Sequence, residues 1–224
     1  MMVKLIRYTP APVELGGEAA AICTNYDDYD KALRGALGGG HESVIEHANF
    51  TFRIEGVSRA LLAQITRHRI ASFSVESQRY VVQNGGFHYV IPPRIAELGE
   101  EYVKQFEAQM ATIADWYDGW MFVLGNDGAE DARFVLPNAC CTQLIMTMNA
   151  RELKHFFELR ACHRAQWEIR ALAEEMLRQC TMVAPELFND AGPGCVRGHC
   201  PEGKKSCKKP RKKGFAMMGG AGNE

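Results

Sequence analysis

A mixed α/β (α+β) chain is predicted by three observations. Residues 48–56 alternate Phe50, Phe52 and Ile54 against Thr51, Arg53 and Glu55, the period of a half-buried strand. Residues 94–124 carry Leu98, Val103, Phe106, Met110, Ile113, Trp116 and Tyr117 as the apolar positions of a long helix. Residues 141–148, rich in β-branched and large apolar side chains, read as strand and lead into a helical pattern over 152–183.

Taken in order, residues 3–7 are strand-like, and a proline-containing turn separates them from helical stretches at 11–24 and 27–37. Gly38, Gly39 and Gly40 end the second of these. The 48–56 strand gives way at Ser58, a good N-cap residue, to a helix whose stripe is Leu61, Leu62 and Ile65 and which runs on into Arg67, His68 and Arg69. An irregular or extended stretch reaches about Pro93, ahead of the 94–124 helix. Residues 134–137 also read as strand, and 152–183 as one long helix or two in series.

The 224 residues suit one large domain or one domain plus a tail, with 46% hydrophobic and 24% charged residues and no internal repeat. No apolar run reaches the ~18 residues of a membrane span, and the first nine residues lack the apolar stretch and cleavage site of an export signal. A cytoplasmic location is therefore expected. Eight scattered cysteines fit a reducing compartment, with Cys23, Cys140, Cys141, Cys162 and Cys180 read as buried thiols. The net charge of -1 conceals an asymmetry: residues 195–224 carry eight Lys or Arg against two Glu, for +6, and leave -7 on the body. Few aromatics and many Lys and Gly beyond Gly194 predict disorder there.

Chemistry concentrates in three places. On a helix Gln64 and Arg67 share a face, while Arg69 points about 200° away from Arg67, so two anionic groups would be served. In an extended segment Ser77 and Arg79 leave the same side, and a hydroxyl with a guanidinium suits a phosphate; a solvated basic turn is the alternative. Further on, Leu153, Phe156, Phe157, Arg160, Arg164 and Trp167 fall on one helical stripe. Two Arg on a buried face require an anion, which is a ligand or a Glu from elsewhere, since no acid stands three or four residues from Arg160. Asn149 and Arg151 flank the strand-to-helix entry, where a helix N-terminus attracts an anion or the two simply cap the helix. His41 and His47 are six apart, about 240° on a helix, which is not a zinc motif and suits core hydrogen bonding or stacking on a ligand ring. Cys195, Cys200, Cys207 and His199 lack the spacing of a standard finger, so no metal is expected. Neither a G-x-G-x-x-G fingerprint nor a P-loop is present, so any dinucleotide is held by other means.

Arg67-His68-Arg69, seven residues and then Ser77 resembles the signature of the flavin-dependent thymidylate synthases. The resemblance extends to His41-Glu-Ser-x-x-Glu46-His47, to Arg133 ahead of Val-Leu-Pro, to Asn149-Ala-Arg151, and to Leu159-Arg160 leading to Ala165-Gln-Trp-Glu-Ile169, and it covers roughly residues 1–190. It implies a single domain over 1–190 with a central, mainly antiparallel sheet and long helices, a basic Cys-containing tail over 191–224, and a homotetramer whose sites lie between subunits. The implied reaction is reductive methylation of dUMP to dTMP, with FAD as cofactor and methylenetetrahydrofolate and NADPH as co-substrates, and with no enzyme Cys attacking the pyrimidine.

Carried over by residue, the resemblance implies that Gln64, Arg67, Ser77, Arg79, Arg133 and Arg160 contact dUMP. Arg160 is then the catalytic residue, favouring ionisation at N3 of the uracil. FAD is then held by Ser43, Arg67, His68, Arg69, Asn149 and Arg151, with His41 near the flavin ring and folate. Some relatives have Glu two residues before the signature Ser, where this chain has Val75 with Glu76 one place later; Val75, Glu76 and Gln78 therefore face dUMP by side chain or backbone. His155 stands where relatives have an Asn contacting FAD, and Arg164 where another has His. The rival reading is a non-catalytic RNA- or nucleotide-binding protein that uses its basic tail; otherwise nucleic acid is not an expected partner.

Overall fold

The computed structural model describes residues 1–125 and 127–217. Four strands, β1 (Met2–Tyr8), β2 (Asn49–Ser58), β3 (Ala71–Val75) and β4 (Cys141–Asn149), form one sheet in the order β1-β2-β4-β3. Pairing is antiparallel where the register is visible: Thr51 Oγ1 faces Thr147 Oγ1 at 2.9 Å, Ala150 N donates to Ala48 O, and Arg59 N donates to Cys140 O at the other end. The helices are α1 (Pro12–Thr24), α2 (Tyr29–Gly38), α3 (Arg59–Ile65), α4 (Pro93–Ala96), α5 (Glu100–Leu124), α6 (Ala129–Ala132), α7 (Ala150–Arg160), α8 (Trp167–Val183) and α9 (Pro185–Phe188). Among the described residues no helix is long and apolar enough to cross a membrane.

The chain divides into two compact units. One comprises Met1–Met2, Ile54–Arg67 and Ser74–Leu144; the other comprises Val3–Arg53, His68–Phe73 and the chain from Ile145. In the second unit the inward positions of β2 and α7 build an aromatic core. Phe50 meets Phe188 edge-on at 5.3 Å, Phe188 meets Phe157 at 6.0 Å, and Phe157 meets Phe156 at 5.7 Å. All four rings are fully buried, each contributing roughly 1.5–3 kcal/mol. In the first unit Met110 and Tyr117 are the buried positions of α5, and the Tyr117 hydroxyl accepts the Gln83 N–H, pinning part of the irregular stretch.

Ser58 caps α3 as predicted, its hydroxyl accepting the Leu61 N–H at 3.0 Å. Four expectations change. The helix after Ser58 stops at Ile65, and Thr66 closes it with N–H and hydroxyl bonds to Leu62 O, so Arg67, His68 and Arg69 lie beyond helical geometry. The 94–124 helix is broken at Gly99, whose φ of 112° a helix does not allow. Residues 133–135 are a 3-10 turn rather than strand: they continue directly from α6, and Phe134 lies exposed, so that apolar run marks no core. Within the stretch read as irregular or extended, Ala71–Val75 takes the extended alternative as strand β3, in which no residue is fully buried. Finally, of the two forms expected for 152–183 the structure has two helices in series, α7 and α8, and because Arg164 lies between them it is off the helical stripe predicted for it with Arg160.

Of the five thiols read as buried, Cys140 and Cys180 are; Cys141 and Cys162 are half-buried and Cys23 is exposed. The described part of the tail, through residue 217, differs from the expected disorder. It turns through short 3-10 segments and is tied down by ion pairs of Arg197 with Glu158, Arg164 with Glu202 and Arg211 with Glu174. Residues 218–224 of that expectation lie outside the described residues.

Candidate active site

The candidate residues fall into two groups, one in each unit. In the first unit, residues after β3 do not stay extended. Tyr80 N and Val81 N both donate to Ser77 O, making a turn, so Ser77 and Arg79 are not two positions along one strand face. The turn still gathers chemistry. The Ser77 hydroxyl accepts Arg79 N–H at 3.2 Å, and Arg79 Nη2 lies 2.9 Å from Glu130 Oε2. Arg133 Nε donates to the Glu130 carbonyl at 3.0 Å, so two guanidiniums converge on one residue. Glu76 pairs by its backbone N–H with Gln143 O and by its carboxylate with the Gln143 amide at 2.7 Å, while Val75 ends the strand half-buried. Gln78 is buried and its amide reaches Cys140 Sγ at 3.7 Å. Gln64 donates back to Ala60 O, and Arg67 is exposed just past the end of α3.

Cys140 is 1% exposed, and burial, followed by the neighbouring Cys141, pushes its thiol up to about 11. It is protonated at neutral pH and inert as a nucleophile. Cys140→Ala is expected to keep turnover and to cost about 1 kcal/mol of stability by removing one buried sulfur. A loss of turnover at unchanged melting temperature would make Cys140 a participant.

In the second unit α7 organises everything. Asn149 is its N-cap, its side-chain oxygen accepting Glu152 N–H at 2.8 Å. Arg151, exposed, is held by Glu46 of the His41-to-His47 segment. Lys154, 5% exposed, pairs with Glu42 at 2.7 Å and Asp190 at 3.4 Å, fixing the 3-10 turn Glu42–Ile45 that contains Ser43 and follows His41. His41, His47 and Arg69 are exposed. Around the helix N-terminus lies a cavity of about 440 Å³ lined by Glu46, Ile70, Asn149, Arg151, Lys154 and His155, among others. It brings Asn149, Arg151 and His155 together, with the Arg151 guanidinium, paired to Glu46, at its exposed edge, a cation that suits an anionic ligand.

At the far end of α7 stands Arg160, half-buried, at the edge of a second cavity of about 420 Å³ that Cys162, Arg164, Lys209 and Arg211 also line. His68, expected among cofactor contacts, turns inward. Its Nδ1 is 3.0 Å from Glu152 Oε1 and its Nε2 accepts from Arg160 Nε at 3.2 Å. Burial, more than any other influence, holds the imidazole below its ordinary pKa, so the ring is neutral. Glu152 is the member of this arrangement that spacing from Arg160 missed, because it stands eight residues away and acts through a histidine from another segment. Arg164 binds Glu202 and the Lys205 carbonyl in the tail rather than a ligand. Among the described residues no His, Cys, Asp or Glu cluster of three or more is placed to hold a metal ion.

A family model described as thymidylate synthase complementing protein matches residues 4–186. The chain is 50% identical to the flavin-dependent thymidylate synthase of Geobacter sulfurreducens over 93% of its length and 94% of the relative's. It is 45% identical to that of Clostridium tetani over 92% and 93%. The crystal structure of a Helicobacter pylori flavin-dependent thymidylate synthase complexed with FAD and dUMP superposes with a TM-score of 0.65 at 28% identity, over 86% of this chain and all of that one.

Proposed function

The chain belongs to the flavin-dependent thymidylate synthases, and from that premise we propose how its own residues divide the work. The enzyme methylates dUMP reductively to dTMP, using FAD, methylenetetrahydrofolate and NADPH. Held by the chain's own residues, FAD would supply the reducing equivalents, drawn from NADPH, that the methylation consumes. The observation that carries the residue assignments is that α7 holds cofactor-type contacts at one end, Asn149, Arg151 and His155, and Arg160 at the other. Ser43, His41, Arg67 and Arg69 complete the proposed cofactor set. The rival reading as a non-catalytic RNA- or nucleotide-binding protein finds no support in the matched relatives, which are named as enzymes.

Arg160 acts on the uracil. A guanidinium stays charged, so it stabilises negative charge on the ring as N3 loses its proton, and a half-buried setting strengthens that interaction over bulk water. Ser77, Arg79 and Arg133 take the phosphate, with Gln64, Arg67 and the Val75–Gln78 turn beside it. The Arg79–Glu130 pair is about half exposed on both sides and holds less than about 1 kcal/mol, so a phosphate dianion displaces the carboxylate. Arg79→Ala is expected to raise the dUMP KM by about 10- to 100-fold, the loss of one charge-assisted contact, with kcat little changed. An unchanged KM would take Arg79 off the phosphate.

α5 leaves Trp116, Trp120 and Val123 on one outward stripe, with Phe122, 90% exposed, about 120° round the helix from it. An apolar face of this kind marks a protein contact. We place a subunit interface of the proposed homotetramer on it, and we assign the enzyme to the cytoplasm. The deciding experiment is NADPH-dependent conversion of dUMP to dTMP with methylenetetrahydrofolate, with and without added FAD. A colourless protein that neither takes up FAD nor forms dTMP overturns the reading.

A further inference from the structure

Glu152, Phe156 and Arg160 follow one another at four-residue spacing and so share one stripe of α7. The His68 ring lies along that stripe. Its centroid is 5.0 Å from that of Phe156 at an interplanar angle of 72°, its Nδ1 meets the Glu152 carboxylate at one end, and its Nε2 meets Arg160 Nε at the other. Glu152 and His68 are 8% and 6% exposed, so water does not compete for the bond between them. The proton can be placed by elimination. Arginine Nε–H only donates, hence Nε2 carries the lone pair, and the single proton of the neutral ring sits on Nδ1 and is donated to the carboxylate. Glu152 is itself fixed in the first turn of α7 by the Asn149 cap.

A guanidinium is planar and includes Nε. Holding Nε at a set distance and direction therefore sets the plane of the group and the bearing of both terminal nitrogens. With the opposite tautomer, an N–H on Nε2 would face the N–H of Nε, donor against donor, and Arg160 would turn away.

We propose that Glu152, acting through His68, is a positioning residue for the methylation reaction: it locks His68 in the Nδ1–H tautomer, and the bare Nε2 aims the Arg160 guanidinium at the pyrimidine. This rests on the assignment of Arg160 to the uracil given above. Neither Glu152 nor His68 touches a reacting atom in this role. It also removes His68 from the cofactor contacts implied by its place in the Arg-His-Arg motif, since both ring nitrogens are engaged within the protein.

The test uses the full-length flavoprotein with histidine labelled by nitrogen-15, alongside Glu152→Gln and Glu152→Ala. Wild type should show His68 protonated on Nδ1 and bare on Nε2. Glu152→Gln keeps an acceptor oxygen and should retain that tautomer and turnover within about threefold, whereas Glu152→Ala should lose about 10²-fold in kcat with its dUMP KM little changed, as expected when an imidazole loses the carboxylate that orients it. A proton on Nε2 in the wild type overturns the proposal, and that measurement decides even if Glu152→Ala does not fold. Wild-type kcat in a folded Glu152→Ala beside a crippled Arg160→Ala overturns this inference alone. Full turnover in Arg160→Ala overturns the assignment of Arg160 and this inference with it.

Discussion

Arg160→Ala is expected to lose about 10²-fold or more in turnover while still binding FAD, the cost of removing one preorganised charge-stabilising donor. The two halves of that expectation come from opposite ends of one helix. Arg160 is in the last turn of α7, where its Nε is tied to His68, whereas the cavity proposed for the cofactor surrounds Asn149, Arg151 and His155 at and near the first turn. Alanine keeps the helix intact, being the best helix former. The aromatic core beneath, Phe156, Phe157 and Phe188, is unchanged. Flavin absorbance of the purified variant and its rate of dTMP formation separate the two effects. Wild-type turnover would remove Arg160 from the chemistry, and a variant that cannot hold FAD would show that the two ends of α7 do not act independently.

The second large effect belongs to α5. Replacing Trp116 and Trp120, one helical turn apart on the outward stripe, together by Asp should dissociate the assembly, and turnover should fall with it if sites are completed by neighbouring subunits. Two aromatic anchors at an interface each contribute on the order of 2 kcal/mol, so their joint loss raises the dissociation constant about 10³-fold. Folding of the chain should be spared, because Trp116 and Trp120 are 59% and 51% exposed and the inward positions Met110 and Tyr117 are untouched. Light scattering gives the assembly mass, and circular dichroism checks that the helix remains. A variant with undiminished mass would place the subunit contacts elsewhere on the chain.

What the sequence revealed followed from periodicity. β2 was legible because Phe50, Phe52 and Ile54 alternate with polar residues and are all buried in the structure. Its end was misjudged because Gly56 looks like a terminator, yet at a φ of 65° it sits inside the strand. β3 was covered only by a stretch read as irregular or extended, because its alternation of Ala71, Phe73 and Val75 with Ser72 and Ser74 lasts five residues and no position is fully buried. Phe134 misled in the opposite direction: a large apolar side chain suggested a strand core, and it is 82% exposed.

The site shows the same division. Residue types at Ser77 and Arg79 point to anion binding and the family resemblance adds Arg133; Arg79 and Arg133 do meet at a common residue, Glu130, although by a geometry that extended spacing does not give. Nothing in Arg67-His68-Arg69 says that the middle residue is buried while its neighbours are exposed; that follows from where α3 ends and how the chain turns. Glu152 was hidden for a related reason, because its link to Arg160 passes through a third side chain 84 residues away in sequence from Glu152. Pairwise spacing finds direct partners and misses bridged ones.

The manner in which the tail is fastened makes it sensitive to the medium. Its ties to Glu158, Glu174 and Arg164 are ionic, and two of the three pairs are more than a third exposed. Such pairs hold less than about 1 kcal/mol each, and at about 1 M salt the screening length shrinks to about 3 Å. Concentrated salt should then loosen this clasp while the hydrocarbon interior stays shut. Lys204 to Lys213, with seven basic residues in ten, already largely exposed, would then be free to extend into a trypsin-like protease. Buffer choice thus selects between a fastened and an unfastened form of the same enzyme.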